Sequence, residues 1–165
     1  MAVVIESGTA RVVIEPAQGA GIADFAMRGP ANFYYPLMRR APHGDPSPSN
    51  LACFSMAPWC NRIPGGVFTF RGVRHALRAT AADGTAIHGD VRARPWRILD
   101  RTPVSARLAF ESAEHPGVNY PFPFACEVRY ELEGSRLTVD LSVINRGDGP
   151  MPAGCGLHPY FPRRL

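Results

Sequence analysis

The chain is 165 residues long, 45% of them apolar, with a formal net charge of +4. That length suits one domain burying roughly 70% of its unfolded surface, and no apolar run approaches the roughly 18 residues of a membrane-spanning helix. All 18 basic residues are arginine, scattered without a block or stripe, which argues against a nucleic-acid partner.

Met1 to Ser7 has neither the basic segment nor the longer apolar segment of a secretory signal, so the chain reads as cytoplasmic. Arg11–Glu15 and Ile22–Met27 are short, β-branched or aromatic, and divided by Pro16 to Gly21, which is the punctuation of two strands joined by a turn. Asn32–Leu37 is a further predicted strand. Ala41–Asn50, with three prolines and a glycine, is a loop that holds His43.

Val67–Phe70 and Val73–Leu77 flank Arg71-Gly72 and predict a tight hairpin. Pro95–Leu99 and Ala106–Phe110 continue in the same style. The clearest hairpin follows Tyr120-Pro121-Phe122-Pro123-Phe124. Cys126, Val128, Tyr130 and Leu132 share one face, Leu137, Val139, Leu141 and Val143 share one face of the return, and Gly134-Ser135 joins them. No window sustains a helical apolar period, and 17 prolines with 16 glycines oppose long helices. The predicted fold is all-β, an antiparallel sandwich or barrel. Cys53, Cys60, Cys126 and Cys155 form no C-x-x-C pair and are expected as buried free thiols.

Chemistry concentrates in two places. Pro58-Trp59-Cys60-Asn61-Arg62-Ile63 and Ile87-His88-Gly89 bring an aromatic ring, an amide, a guanidinium and an imidazole into one stretch; Gly156-Leu157-His158-Pro159-Tyr160-Phe161 adds a second imidazole. Two imidazoles near one substrate can give and take protons at neutral pH without a metal. Gly89 is expected to let the backbone approach a ligand, and Pro159 to hold His158 extended. Asn61 and Arg62 suit the hydroxyls of a neutral polyhydroxylated ring. Trp59 and Trp96 read as core, and His43, His75 and His115 as structural. No metal is expected, because the histidines lack H-x-H or H-E-x-x-H spacing and no third ligand presents itself.

In order and spacing these motifs, together with Gly65-Gly66-Val67-Phe68, Phe70-Arg71-Gly72, Pro95-Trp96 and Tyr120–Phe124, resemble the aldose 1-epimerase (galactose mutarotase-like) family over nearly the whole chain. The resemblance implies a large β-sandwich that interconverts the α and β anomers of a free hexose, without a cofactor. It implies that His158 is the general acid toward the ring oxygen, that His88 contacts the ring region, and that Asn61, Arg62 and Tyr160 bind substrate.

In that family the general base is a glutamate downstream of the His-x-Tyr-Phe motif, and a sugar-binding aspartate also lies beyond it. Residues 1–165 are therefore expected to be the N-terminal portion of an incomplete sandwich that lacks its base and exposes strand edges and an apolar face. Either a second copy of the chain or a missing C-terminal half is expected to cover that face. The competing readings are a non-catalytic carbohydrate-binding β-sandwich module and a remnant without function. With so many arginines a phosphosugar substrate stays open, although no phosphate-cradling glycine loop is present.

Overall fold

Strict alternation sets the first sheet. In the computed structural model, which describes residues 1–42 and 47–163, strand β1 (Val3–Glu6) buries Val3 and Ile5, and β2 (Ala10–Glu15) buries Ala10, Val12 and Ile14. Strand β3 (Gly21–Arg28) follows, and β4 (Tyr34–Pro36) pairs with it on one side. Strand β5 (Cys53–Met56) continues from β3, and the last strand of the chain, β14 (Gly156–Pro159), closes the edge beyond it, giving the order β1-β2-β3-β5-β14.

Between these lie the short pair β6 (Arg62–Ile63) and β9 (Ala86–Ile87), and the hairpin β7 (Val67–Phe70) and β8 (Val73–Ala76). The second large sheet is the meander β10 (Arg97–Arg101), β11 (Ser105–Glu111), β12 (Phe124–Glu133) and β13 (Arg136–Asn145), antiparallel throughout.

The two large sheets share one core. Ile5, Val12, Ile14 and Ile22 of the first pack in one cluster with Leu108, Phe110, Cys126, Val128 and Leu132 of the second. Two apolar faces closed on each other make an antiparallel sandwich, as the alternation predicts. Tyr130 ties the layers, donating its buried hydroxyl to the Ala20 carbonyl at 2.6 Å. A smaller cluster of Trp59, Leu77 and Ala86, with Ile63, Phe68 and Tyr120 against it, lies under the short strands.

The predicted hairpins stand at Arg71-Gly72, where both residues have positive φ (50° and 78°), and at Gly134-Ser135. The predicted strand over Asn32–Leu37 shortens to β4. Ala31 and Asn32 take left-handed backbone (φ 53° and 59°) in a 3-10 turn, so extension begins only at Tyr34. Likewise β10 starts at Arg97, because Trp96 turns inward and donates to the Val91 carbonyl at 3.3 Å. His43, with the rest of 43–46, lies outside the described residues.

Strands β1, β5, β6, β9 and β14 are absent from the sequence reading. The reason is plainest for β5, whose Cys53, Phe54 and Ser55 are all buried and show no alternation. At β13 the apolar face is only half-buried, since Leu137, Val139, Leu141 and Val143 stand on an outer strand of their sheet. Among the described residues no helix is long and apolar enough to cross a membrane.

Candidate functional site

The pairing of β5 with β14 sets His158 opposite Phe54. Directly opposed side chains lie on the same face of a sheet, and the imidazole stacks on the buried phenyl ring at 4.6 Å between centroids and 17° between planes. Tyr160 follows two residues on, its ring 4.8 Å from that of His158, and its N–H donates to the Ala52 carbonyl at 2.9 Å. Extended backbone at His158, expected from Pro159, is what puts both rings on one side.

His88 arrives from the short β6–β9 pair. Arg62 opposes Ile87, and at the next position both chains leave extended geometry: Asn61 has φ 56° and His88 φ 60°. Left-handed backbone is uncommon outside glycine, but asparagine and histidine tolerate it better than most. The His88 N–H donates to the Asn61 carbonyl at 2.8 Å. The His88 ring thus stands 5.1 Å from that of His158, at 72°, and 5.7 Å from Phe54.

Gly89 has a different task from the one its sequence suggested. It carries φ +72°, and a Cβ there would fall 2.0 Å from the Ala57 carbonyl oxygen, so the close approach is to the protein's own backbone. Ala57 and Gly89 form a parallel bridge, and the same carbonyl accepts the Asp90 N–H at 2.8 Å. This contact docks the His88 loop onto the end of β5.

The electrostatics are one-sided. Burial holds the His88 pKa below the ordinary 6.5, and the positive charges of Arg92, His158 and Arg62 lower it further. Arg92 lies with its guanidinium 5.3 Å from the Phe54 ring centroid, and burial lowers its own pKa. Arg39 lies over Tyr160 at 3.9 Å, held by bonds to the Ser49 and Leu51 carbonyls at 2.6 and 2.7 Å. Arg62 is half-exposed and ion-paired with Asp83 at 3.0 Å. The Nδ1 atoms of His88 and His158 are buried without a hydrogen-bond partner among the described residues.

A site of two facing imidazoles on an aromatic floor, walled by guanidinium groups, suits proton transfer to and from a bound polyol. The family model described as aldose 1-epimerase matches residues 1–164. The chain belongs to the aldose 1-epimerase family.

Within the aldose 1-epimerase family its relatives include an uncharacterized protein, YphB, of Escherichia coli K12, 31% identical over 115 residues, which are 69% of this chain and 38% of that protein. A crystal structure of a putative aldose 1-epimerase from Escherichia coli K12 superposes with a TM-score of 0.84 at 26% identity, over 98% of this chain and 52% of that one. A galactose mutarotase related enzyme from Lactobacillus acidophilus gives 0.76 at 25% identity, over 96% and 48%. The sandwich is therefore of the galactose mutarotase type, and the chain spans about half the length of these structures.

Of the residues predicted from sequence, His88, His158 and Tyr160 come together. Asn61 touches the group through its backbone, and Arg62 acts on His88 through its charge. Trp59 is core, 7% exposed, donating to the Ala86 carbonyl at 3.3 Å. His75 and His115 stack on Phe68 and Phe110, away from the site. The expectation of four buried thiols holds for Cys53 and Cys126 only; Cys60 and Cys155 are exposed, each in a segment outside the strands.

The sequence reading missed Phe54, Arg39, Arg92 and Asp83. Phe54 carries a faint signal, being the one aromatic in an otherwise small-residue buried strand; the others resemble any surface charge. Among the described residues no three or more His, Cys, Asp and Glu side chains gather as metal ligands. An apolar pocket of about 260 Å³ against Trp59, Ile63, Phe68 and Tyr120 contains neither imidazole. Its lining is apolar apart from Cys60 and the Tyr120 hydroxyl, which donates to the Pro152 carbonyl, so chemistry rather than volume marks the candidate site.

Proposed function

We propose that this chain is an aldose 1-epimerase-like protein that holds a free hexose against Phe54 and the two imidazoles and interconverts its anomers by acid/base ring opening. In the opening step a base takes the anomeric hydroxyl proton, the bond from C1 to the ring oxygen breaks, and an acid protonates that oxygen. Rotation about the next carbon–carbon bond and reclosure on the other face of the aldehyde give the second anomer. His158 is assigned the acid role and His88 contact with the ring region, while Asn61, Arg62 and Tyr160 bind hydroxyls.

The observation that carries this reading is the 5.1 Å approach of two imidazoles that are far apart in sequence. The lowered pKa of His88 supports a neutral ring near pH 7, able to accept a proton or a hydrogen bond. Among the described residues no carboxylate forms an ion pair with either imidazole. With the two imidazoles as the proton-transfer groups among the described residues, turnover by residues 1–165 on their own is expected to be slow, since a well-matched general base contributes roughly 10² to 10⁴ in rate. That same feature favours the second reading, a carbohydrate-binding module without turnover.

Anomer exchange separates the two. Freshly dissolved α-glucose and α-galactose are followed by polarimetry or NMR with the wild-type chain and with His158→Ala. Weak acceleration that disappears in the variant is expected; a rate equal to buffer alone, with sugar-induced shifts in the protein spectrum, makes the chain a binding module instead.

A further inference from the structure

A sheet ends in strands whose outer N–H and C=O groups have no ladder partner, and such edges are usually protected by shortness, proline or a bulge. Here the protection is uneven. The first sheet stops at β1 and β14, four residues each, and β14 finishes in Pro159, which has no N–H to donate. Strand β4 has three residues, and no strand of the two short pairs exceeds four. The second sheet stops at β10, five residues interrupted by a register shift between Ile98 and Asp100, and at β13. Strand β13 carries none of these devices: it is ten residues long, lacks proline, and pairs with β12 from end to end without a shift.

The free edge of β13 has a bounded open stretch. The Cys155 thiol approaches the Leu141 carbonyl at 3.9 Å, so the chain entering β14 meets the strand there. Among the described residues, no backbone hydrogen bond outside the β12 ladder reaches residues 136–140. In that stretch the core-side Leu137 and Val139 are only half-buried, while Arg136, Thr138 and Asp140 are exposed on the other face. Arg136 and Asp140 take part in no ion pair among the described residues. Arg129, which opposes Asp140 in the ladder, pairs with Glu131 at 3.1 Å instead. An unpaired cation and an unpaired anion at the two ends of one open stretch are self-complementary: turned end for end, each meets the other.

We propose that β13 is an interaction surface for a second copy of this chain, the two β13 strands pairing antiparallel about a two-fold axis at Thr138. An isologous contact of this kind places the same patch on both sides. The register sets Arg136 opposite Asp140 of the second copy and Asp140 opposite its Arg136, with Leu137 against Val139 on the core side and the two Thr138 side chains facing each other. Opposite charges, apolar pairs and Thr–Thr pairs are the favourable cross-strand combinations. Moving the axis to Asp140 opposes two carboxylates, and a slip of one residue on one strand sets the apolar face of one copy against the polar face of the other. The axis at Leu141 meets Cys155. So short a ladder buries less than a standard protein interface, and the dimer therefore forms in a concentration-dependent way. The proposal is independent of the sugar chemistry assigned to the imidazoles.

The test is sedimentation equilibrium of the 165-residue chain from about 10 μM to about 1 mM, the range in which a weak pairing is populated. The weight-average mass is expected to rise from one chain toward two, and amide exchange to slow with concentration at residues 136–140. Asp140→Arg sets like charges opposite each other twice and is expected to weaken dimerisation by at least about tenfold. Combining Arg136→Asp with Asp140→Arg exchanges the charges and restores it. All three positions of the charged face are exposed, so these variants are expected to fold.

A chain that stays monomeric over the whole range overturns the proposal and leaves the edge to a strand of another polypeptide. A dimer that Asp140→Arg leaves intact, or that the double exchange does not restore, overturns it as well, as does protection that appears away from β13. The wild-type mass and exchange data decide without any variant.

Discussion

Replacing Gly89 with alanine tests the docking of the His88 loop more directly than any change to the imidazoles. The new Cβ falls 2.0, 2.4 and 2.6 Å from the O, C and N atoms of Ala57, all of them backbone, so no side chain can swing away. Left-handed backbone costs an L-residue about 1–2 kcal/mol, forced overpacking about 1–3 kcal/mol, and the bond from Asp90 N–H to Ala57, at risk when they separate, about 1 kcal/mol. Together these give a loss of about 3–6 kcal/mol. Gly65 is the control: its φ of +58° is similar, but nothing lies within 4 Å of an added Cβ. Gly65→Ala therefore meets the conformational cost alone, offset by about 0.4–1 kcal/mol of lost unfolded-state entropy, and is expected to lose about 1 kcal/mol. Urea unfolding followed by fluorescence of the buried Trp59 and Trp96 measures both. If Gly89→Ala comes within about 1 kcal/mol of Gly65→Ala on these scales, the packing of the loop on Ala57 is not what holds His88 in place.

Three further outcomes follow from the same structure. The folded-state pKa of His88 is depressed, so folding withholds a proton that the unfolded chain binds; stability is full above the ordinary 6.5 and declines as pH falls through the folded value. His88→Asn, which tolerates the left-handed backbone, flattens that slope in urea unfolding measured from pH 8 to 5; an unchanged slope assigns it to other groups. Native-state labelling with a thiol reagent modifies Cys60 and Cys155, while Cys53 and Cys126, pushed up to about 11 and about 12 by burial, react only in denaturant. Rapid native modification of Cys126 contradicts the packing of β12. Finally, Tyr130→Phe leaves the Ala20 carbonyl without its donor inside the sandwich and is expected to cost about 1–3 kcal/mol in urea unfolding; a neutral effect refutes the cross-layer tie.

Alternation by itself determined the all-β class, the β12–β13 hairpin and the Arg71-Gly72 turn, because each is decided by neighbours a few residues apart. The two histidines of the candidate site were singled out as well, since Gly89 and Pro159 constrain the backbone beside each. What alternation cannot encode is a pairing between distant strands. Phe54 faces His158 only because β14 returns to the edge of β5, and a slip of one residue would send the imidazole to the other face. Strand β5 hides for the related reason that burial on both sides erases its period. Gly89 looked like a place for a ligand until Ala57 filled the space. Arg92 is one of 18 identical side chains in the sequence; partial burial over Phe54, without a carboxylate partner among the described residues, is what sets it apart, and burial is a property that only the packed sheets confer.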